Sequence, residues 1–157
     1  MQSYQTANGL YRYNHIFHKK TLDKWTNLAH QYNCKHNKWS CYALKKGSFG
    51  YDCMAYCLAY SFNIIKTSNE FTINEIAEII HEAWSEIYTY WRDYKPWLKN
   101  KSYIKSAKPL DDKRRNELAE TSFDSKPEDE KQKDLIIAKF IQQSLCSSKL
   151  NDFSINE

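Results

Sequence analysis

Between Thr72 and Trp91 the chain spells out one amphipathic helix, and that helix constrains everything packed around it. Thr72 and Glu75 stand three residues apart, the spacing of a capping box in which each side chain satisfies the other's backbone N–H. Ile76, Ile80, Ala83, Ile87 and Trp91 recur at helical spacing and form an inner stripe. Glu75, Glu78, Glu82 and Glu86 form the outer face. Lys95-Pro96 ends the helix, because proline disfavours helix in the residue before it. The chain has 3 glycines and 3 prolines in 157 residues, too few for the tight turns of a sandwich or barrel. The expected fold is therefore mainly α: a small helical domain with a long basic connection before the last helix.

Other segments follow the same period. Residues 1–14 are polar and aromatic, with Asn8-Gly9 as a turn, and predict an irregular start. From Thr21 to Tyr32 the residues Leu22, Trp25, Leu28, Ala29 and Tyr32 predict a helix. Residues 33–50 read as a basic loop closed by Gly47-Ser48-Phe49-Gly50. Asp52 is placed to cap a second helix, from Cys53 to about Ile65, that is apolar almost all round and so buried. Lys66-Thr67-Ser68-Asn69 breaks it. Residues 96–124 form a connection long enough to face a ligand or partner, with a short helix expected around Asp112–Glu120. Ser125 and Glu128 offer a second capping box, and Leu135, Ile136, Phe140, Ile141 and Leu145 give the last helix its buried stripe. After Ser147 the tail is polar.

Charge is distributed unevenly. The net charge of +4 is modest and does not imply nucleic acid. From Lys95 to Arg115, however, eight bases face two acids, and from Glu117 to Asp134 seven acids face three lysines. No segment has the apolar length of a membrane span, and no signal peptide is expected. Five cysteines, an odd number without framework spacing, suit free thiols in a reducing cytoplasm. Aromatic residues make up 15% of the chain, including 12 Tyr and 5 Trp, more than a core of this size needs; such rings also favour binding surfaces.

Four constellations carry candidate chemistry. His81, Trp84 and Tyr88 fall on one helical face, rotated slightly from the apolar stripe that ends at Trp91. Trp84 there is either a core residue or a platform for a flat ring, and His81 either bonds a backbone carbonyl or borders a pocket. Asp111-Asp112-Lys113-Arg114-Arg115 is either a solvated helix start or a phosphate-binding fork built on the planar guanidinium. His30, Cys34, His36 and Cys41 have metal-binding side chains, but H-x3-C-x-H-x4-C matches no standard zinc knuckle, so they are read as structural, with no metal or other cofactor expected. Cys53 after Gly50-Tyr51-Asp52 resembles the nucleophile segment of papain-like cell-wall peptidases, without the small residues that follow it there or a strand-borne histidine. No P-loop, dinucleotide fingerprint, Gly-x-Ser-x-Gly or paired-carboxylate pattern occurs.

Ile80-His81-Glu82-Ala83-Trp84, then Asp111-Asp112-Lys113-Arg114, then Phe123 and Ser125-Lys126-Pro127-Glu128 together resemble the repeat domain of ryanodine receptors. Single repeats of that kind occur in bacterial, phage and large-virus proteins. The resemblance covers a little under half the chain. Two departures stand out: Trp97-Leu98-Lys99-Asn100 replaces a Gly-rich aromatic turn, and Lys126 replaces a leucine. The resemblance implies a helical module over residues 71–147, an N-terminal layer, lid or dimerisation element over 1–70, and a polar tail over 148–157. It also implies a non-enzymatic binding module for a small anionic ligand, a nucleotide or nucleotide-derived signal, acting as sensor or sponge. The expected ligand-binding residues are His81, Trp84, Tyr88, Trp91, Asp112, Arg114 and Arg115. A protein–protein adaptor docking an acidic partner is the alternative, and a thiol enzyme using Cys53 the third. Neither membrane nor nucleic acid is an expected partner; self-association is compatible with the sequence.

Overall fold

The structure is a computed structural model that describes residues 19–45, 48–65, 70–93 and 113–145. The described residues form four long helices, α1 (Lys19–Asn37), α2 (Phe49–Ile65), α3 (Ile73–Asp93) and α5 (Glu128–Leu145), with a short α4 (Lys113–Ala119) and a 3₁₀ turn (Phe123–Ser125) between α3 and α5 in chain order. Among the described residues there is no strand, as the scarcity of glycine and proline requires. None of these helices is long and apolar enough to cross a membrane. The irregular start over 1–14, the break at Lys66–Asn69, the basic run Lys95–Lys108, the pair Asp111–Asp112 and the tail after Ser147 lie outside the described residues.

α3 is the organising element. Its capping box is formed as expected: Thr72 N donates to Glu75 Oε1 at 2.8 Å and Glu75 N to Thr72 Oγ1 at 3.1 Å. All five residues of the inner stripe, Ile76 to Trp91, are no more than 1% exposed. α2 covers one side of the stripe and α5 another, while α1 packs on both α2 and α5. The four long helices thus close a ring around one core, so the residue-19–65 segment and the later helices share it. Ala55, Ala59, Ala77 and Ala83 are fully buried on α2 and α3, and their small side chains let the two backbones approach. α2 and α3 run antiparallel: Tyr56 donates to Glu86 at 2.8 Å and Tyr60 to Glu82 at 2.5 Å, one turn forward on one helix for one turn back on the other. The outer-face glutamates Glu82 and Glu86 are therefore acceptors for tyrosines of α2. On the far side of the ring, Phe140 packs against Trp25 and Tyr32, with ring centroids 5.8 Å and 5.5 Å apart.

Two helix starts differ from the sequence reading. α2 begins at Phe49, four residues early, because Ser48 caps it: Ser48 Oγ accepts from Tyr51 N at 3.2 Å and Ser48 O from Asp52 N at 3.0 Å. Phe49 and Gly50 are thus helical rather than loop, and Asp52 accepts from Trp91 Nε1 at 3.0 Å. The second capping box does not form. Ser125 belongs to the 3₁₀ turn and its hydroxyl pairs with Ser122 at 3.1 Å. α5 opens instead on the Pro127 carbonyl, which accepts from Lys131 N at 3.0 Å, with Glu128, Asp129 and Glu130 complementing the dipole.

Candidate functional site

Among the described residues, a cavity of about 700 Å³ lies between the helices. α1 contributes His30 and Cys34, α2 contributes Phe49, Cys53 and Cys57, and α3 contributes Ile80 and Trp84. α4 supplies Arg114 and Arg115, and the start of α5 supplies Lys126, Glu130, Lys133 and Asp134. A gap between helices of a small bundle is a usual place for a ligand site, and the volume is in the usual range.

Of the seven residues expected to bind a ligand, three line this cavity: Trp84, Arg114 and Arg115. Trp84 is half-buried at its wall and belongs to a stack along α3. Its ring lies 5.1 Å from Tyr88 at 10° and 6.3 Å from His81 at 17°. Tyr88 and Trp91 are 0% exposed and do not reach the cavity, which corrects their placement on the ligand face. The cause is Phe49: with α2 starting early, its ring meets both edge-on, at 6.4 Å and 5.7 Å, and roofs them over. Tyr88 spends its hydroxyl on Asn116 at 2.6 Å, which joins α3 to α4. Asp112 lies outside the described residues.

His81 is buried behind the cavity wall, where it joins three elements. Nε2 donates to the Thr121 carbonyl at 2.5 Å and Nδ1 accepts from Lys126 Nζ at 3.2 Å. An acceptor on one side and an ammonium on the other fix the neutral Nε2–H tautomer. Burial, with Lys126 adding to it, lowers the imidazole pKa in the same sense, against the opposing pull of the Thr121 bond. Lys126 also donates to Asp134 Oδ2 at 2.5 Å, and both side chains are almost fully buried. Burial pushes the Asp134 carboxyl above the ordinary carboxylate range, with Lys126 pulling against it. Lys126 is thus buried as one member of an ion pair. Asp134 was legible in principle: with Ile137, Ala138 and Ile141 it stands at i, i+3, i+4 and i+7 on the buried stripe, where a lone charge needs a partner.

Nearer the mouth, Arg114 Nε is 3.2 Å from Glu130, and Lys133 Nζ is also 3.2 Å from Glu130. The Arg115 guanidinium sits 5.7 Å over the Phe49 ring. The cavity wall therefore carries four cations, Arg114, Arg115, Lys126 and Lys133, against two carboxylates, Glu130 and Asp134. At the inner side, burial pushes the Cys53 and Cys57 thiols well above their ordinary range. Asp52 adds to that effect at Cys53 more than Arg115 offsets it. The shift favours the protonated thiol, the less nucleophilic form, at both positions.

Of the four metal-type residues, the structure brings three together. His30, Cys34 and Cys41 offer ligand atoms within 4.8 Å of one another. His36 stands apart, stacked on Tyr32 at 4.1 Å with Nδ1 on the Tyr32 carbonyl.

No family model matches the chain, and no curated protein or solved structure matches it either.

Proposed function

We propose that this chain is a binding module for a small anionic ligand with a flat ring, a nucleotide or nucleotide-derived signal, held in the cavity between α1, α2, α3 and α5. The observation that carries the reading is the wall itself: four cations to two carboxylates beside the half-buried ring of Trp84. Glu130 is shared by Arg114 and Lys133, and Asp134 is held by Lys126, so each carboxylate on the wall is already matched by a cation. Lys126, on the same wall, uses one N–H on Asp134 and one on His81. The resemblance to ryanodine-receptor repeats points the same way. The chain would work as a cytoplasmic sensor or as a sponge of phage or viral type, without catalysis. Calorimetric titration with adenine nucleotides and with inorganic phosphate tests the reading. Heat from nucleotides that Trp84→Leu diminishes supports it. No heat from any anion defeats it.

One observation favours a second reading as protein adaptor. Trp39 is 50% exposed and Tyr42 is 71% exposed, and both belong to the cavity lining. Large exposed aromatics of this kind anchor protein interfaces. In that case Trp39→Ala/Tyr42→Ala, and not Trp84→Leu, abolishes capture of an acidic partner.

A further inference from the structure

His30 and Cys34 are one turn apart on α1 and project from the same face. The chain reverses just beyond. Lys38 takes the left-handed conformation at φ 59°, and Trp39 N donates to Cys34 O at 2.9 Å. The following segment runs back along α1. Tyr42 O is 2.9 Å from His30 Nε2, and Leu44 N is 3.4 Å from Asn27 Oδ1. Leu44 then packs over Gly50, where even a Cβ would lie 3.3 Å from its side chain. This return carries Cys41 to the His30–Cys34 pair, although the three are not a recognisable run in sequence.

The separations are on the scale of a coordination sphere. Cys34 Sγ is 3.8 Å from His30 Nδ1 and 3.6 Å from Nε2, and all three ligand atoms lie within 4.8 Å. A tetrahedral zinc with Zn–S of about 2.3 Å and Zn–N of about 2.0–2.1 Å sets its ligands roughly 3.5–3.8 Å apart. The second shell is also in place. The Tyr42 carbonyl can only accept, so His30 Nε2 carries the proton and Nδ1 keeps its lone pair. A backbone carbonyl on the far nitrogen is the usual way a metal-bound histidine is oriented.

We infer that His30 Nδ1, Cys34 Sγ and Cys41 Sγ form a binding site for a thiophilic divalent cation, zinc before the harder magnesium or calcium. Two thiolates and an imidazole select for it. On binding, each cysteine S–H gives its proton to solvent and each sulfur gives a lone pair to the metal, with no change of oxidation state. His36 is excluded from the set, so the pattern is H-x3-C-x6-C. Three protein ligands leave one tetrahedral position for water or a bound molecule. Because His30 and Cys34 also line the cavity, the metal stands in its wall. This inference is independent of which anion, if any, the cavity binds.

The test is titration of the reduced full-length protein with cobalt(II) chloride, followed by zinc. The expected result is a thiolate-to-cobalt charge-transfer band with the visible absorption of a tetrahedral centre. It should saturate at one cobalt per chain and bleach when zinc displaces it. Cys41 is exposed, so Cys41→Ser leaves the core untouched; its circular dichroism should match the parent while the saturating cobalt signal is lost. His30→Gln should lose it too, and His36→Ala should keep it. A reduced parent protein with no tetrahedral cobalt spectrum overturns the inference. So does a spectrum that survives Cys41→Ser, or one that depends on His36 instead.

Discussion

Lys126 Nζ and Asp134 Oδ2 are 2.5 Å apart, and their side chains are 5% and 11% exposed. The pair spans the entry to α5: one member precedes Pro127, the other lies on the helix's buried face. Its position beneath His81 means that one ion pair fixes the 3₁₀ turn, α5 and α3 together.

Breaking that pair from one side should be costly. Lys126→Met leaves a buried carboxylate without its counter-ion, and Asp134→Leu leaves a buried ammonium with only the neutral His81 beside it. Each single variant should lose about 3–5 kcal/mol of unfolding free energy, the range for orphaning one member of a buried pair. The double variant should regain most of that loss, because well-packed apolar residues substitute for a buried ion pair at little cost. Urea denaturation of the four proteins measures this. Additive losses in the double variant would show that the two side chains do not depend on each other.

His81 gives the protein a pH dependence of definite sign. Its folded pKa is lowered from the ordinary 6.5, chiefly by burial, so below about that pH the unfolded chain binds a proton that the folded chain refuses. Stability should therefore fall on acidification through and below pH 6.5 and be flat just above it. Asp134 acts in the opposite sense: its raised pKa makes the folded state the better proton acceptor, which supports the fold as pH falls toward the carboxylate range. In His81→Gln, whose amide can still donate to Thr121, the decline below pH 6.5 should flatten. Thermal melts at half-unit pH steps decide; parallel curves for the two proteins would refute this role.

The helix-forming signals in this chain are local, and they were legible. Thr72 with Glu75, and Ile76 through Trp91, fix α3 from spacing alone. The two misread starts were competitions between caps that spacing cannot arbitrate. Ser48 took the place of Asp52, whose carboxylate bonds Trp91 on another helix, and Pro127 that of Ser125, whose hydroxyl pairs with Ser122. The site was legible only in part for the same reason. Trp84, Arg114 and Arg115 are on the wall, but whether Tyr88 is exposed depends on Phe49 arriving from another helix. Cys41 reaches His30 only because Lys38 turns left-handed, which nothing in its side chain announces.

Trp84 and Trp91 should respond differently to truncation, although they lie on one helix. Trp91 is completely buried and bonds Asp52, so Trp91→Ala should cost about 3–5 kcal/mol of stability. Trp84 has one side open to the cavity, so Trp84→Leu should cost less stability than that. Its main effect should be on binding, with nucleotide affinity lower by about 1–3 kcal/mol, the worth of base–aromatic stacking. The measurement is paired, a melting curve and a titration on each variant. A Trp84→Leu protein that melts and binds like the parent would remove Trp84 from the site.

Arg114 and Arg115 should separate binding from folding. Arg114 is 55% exposed on its side-chain surface, and Lys133 stays on Glu130 when Arg114 is removed, so the largely buried carboxylate keeps a counter-ion. Arg115 lies over Phe49 at the cavity mouth, where its loss removes a charge and some ring contact but no core residue. Arg114→Gln/Arg115→Gln should therefore melt near the parent temperature. Affinity for an anionic nucleotide should fall, and so should the salt dependence of that affinity. Exposed charges are screened over about 8–10 Å at physiological ionic strength, so the parent should bind visibly more weakly as salt rises. The double variant, with two fewer cations at the mouth, should show a shallower slope. Titrations at low and high sodium chloride on both proteins make the comparison, and identical slopes would move the anion's binding site away from α4.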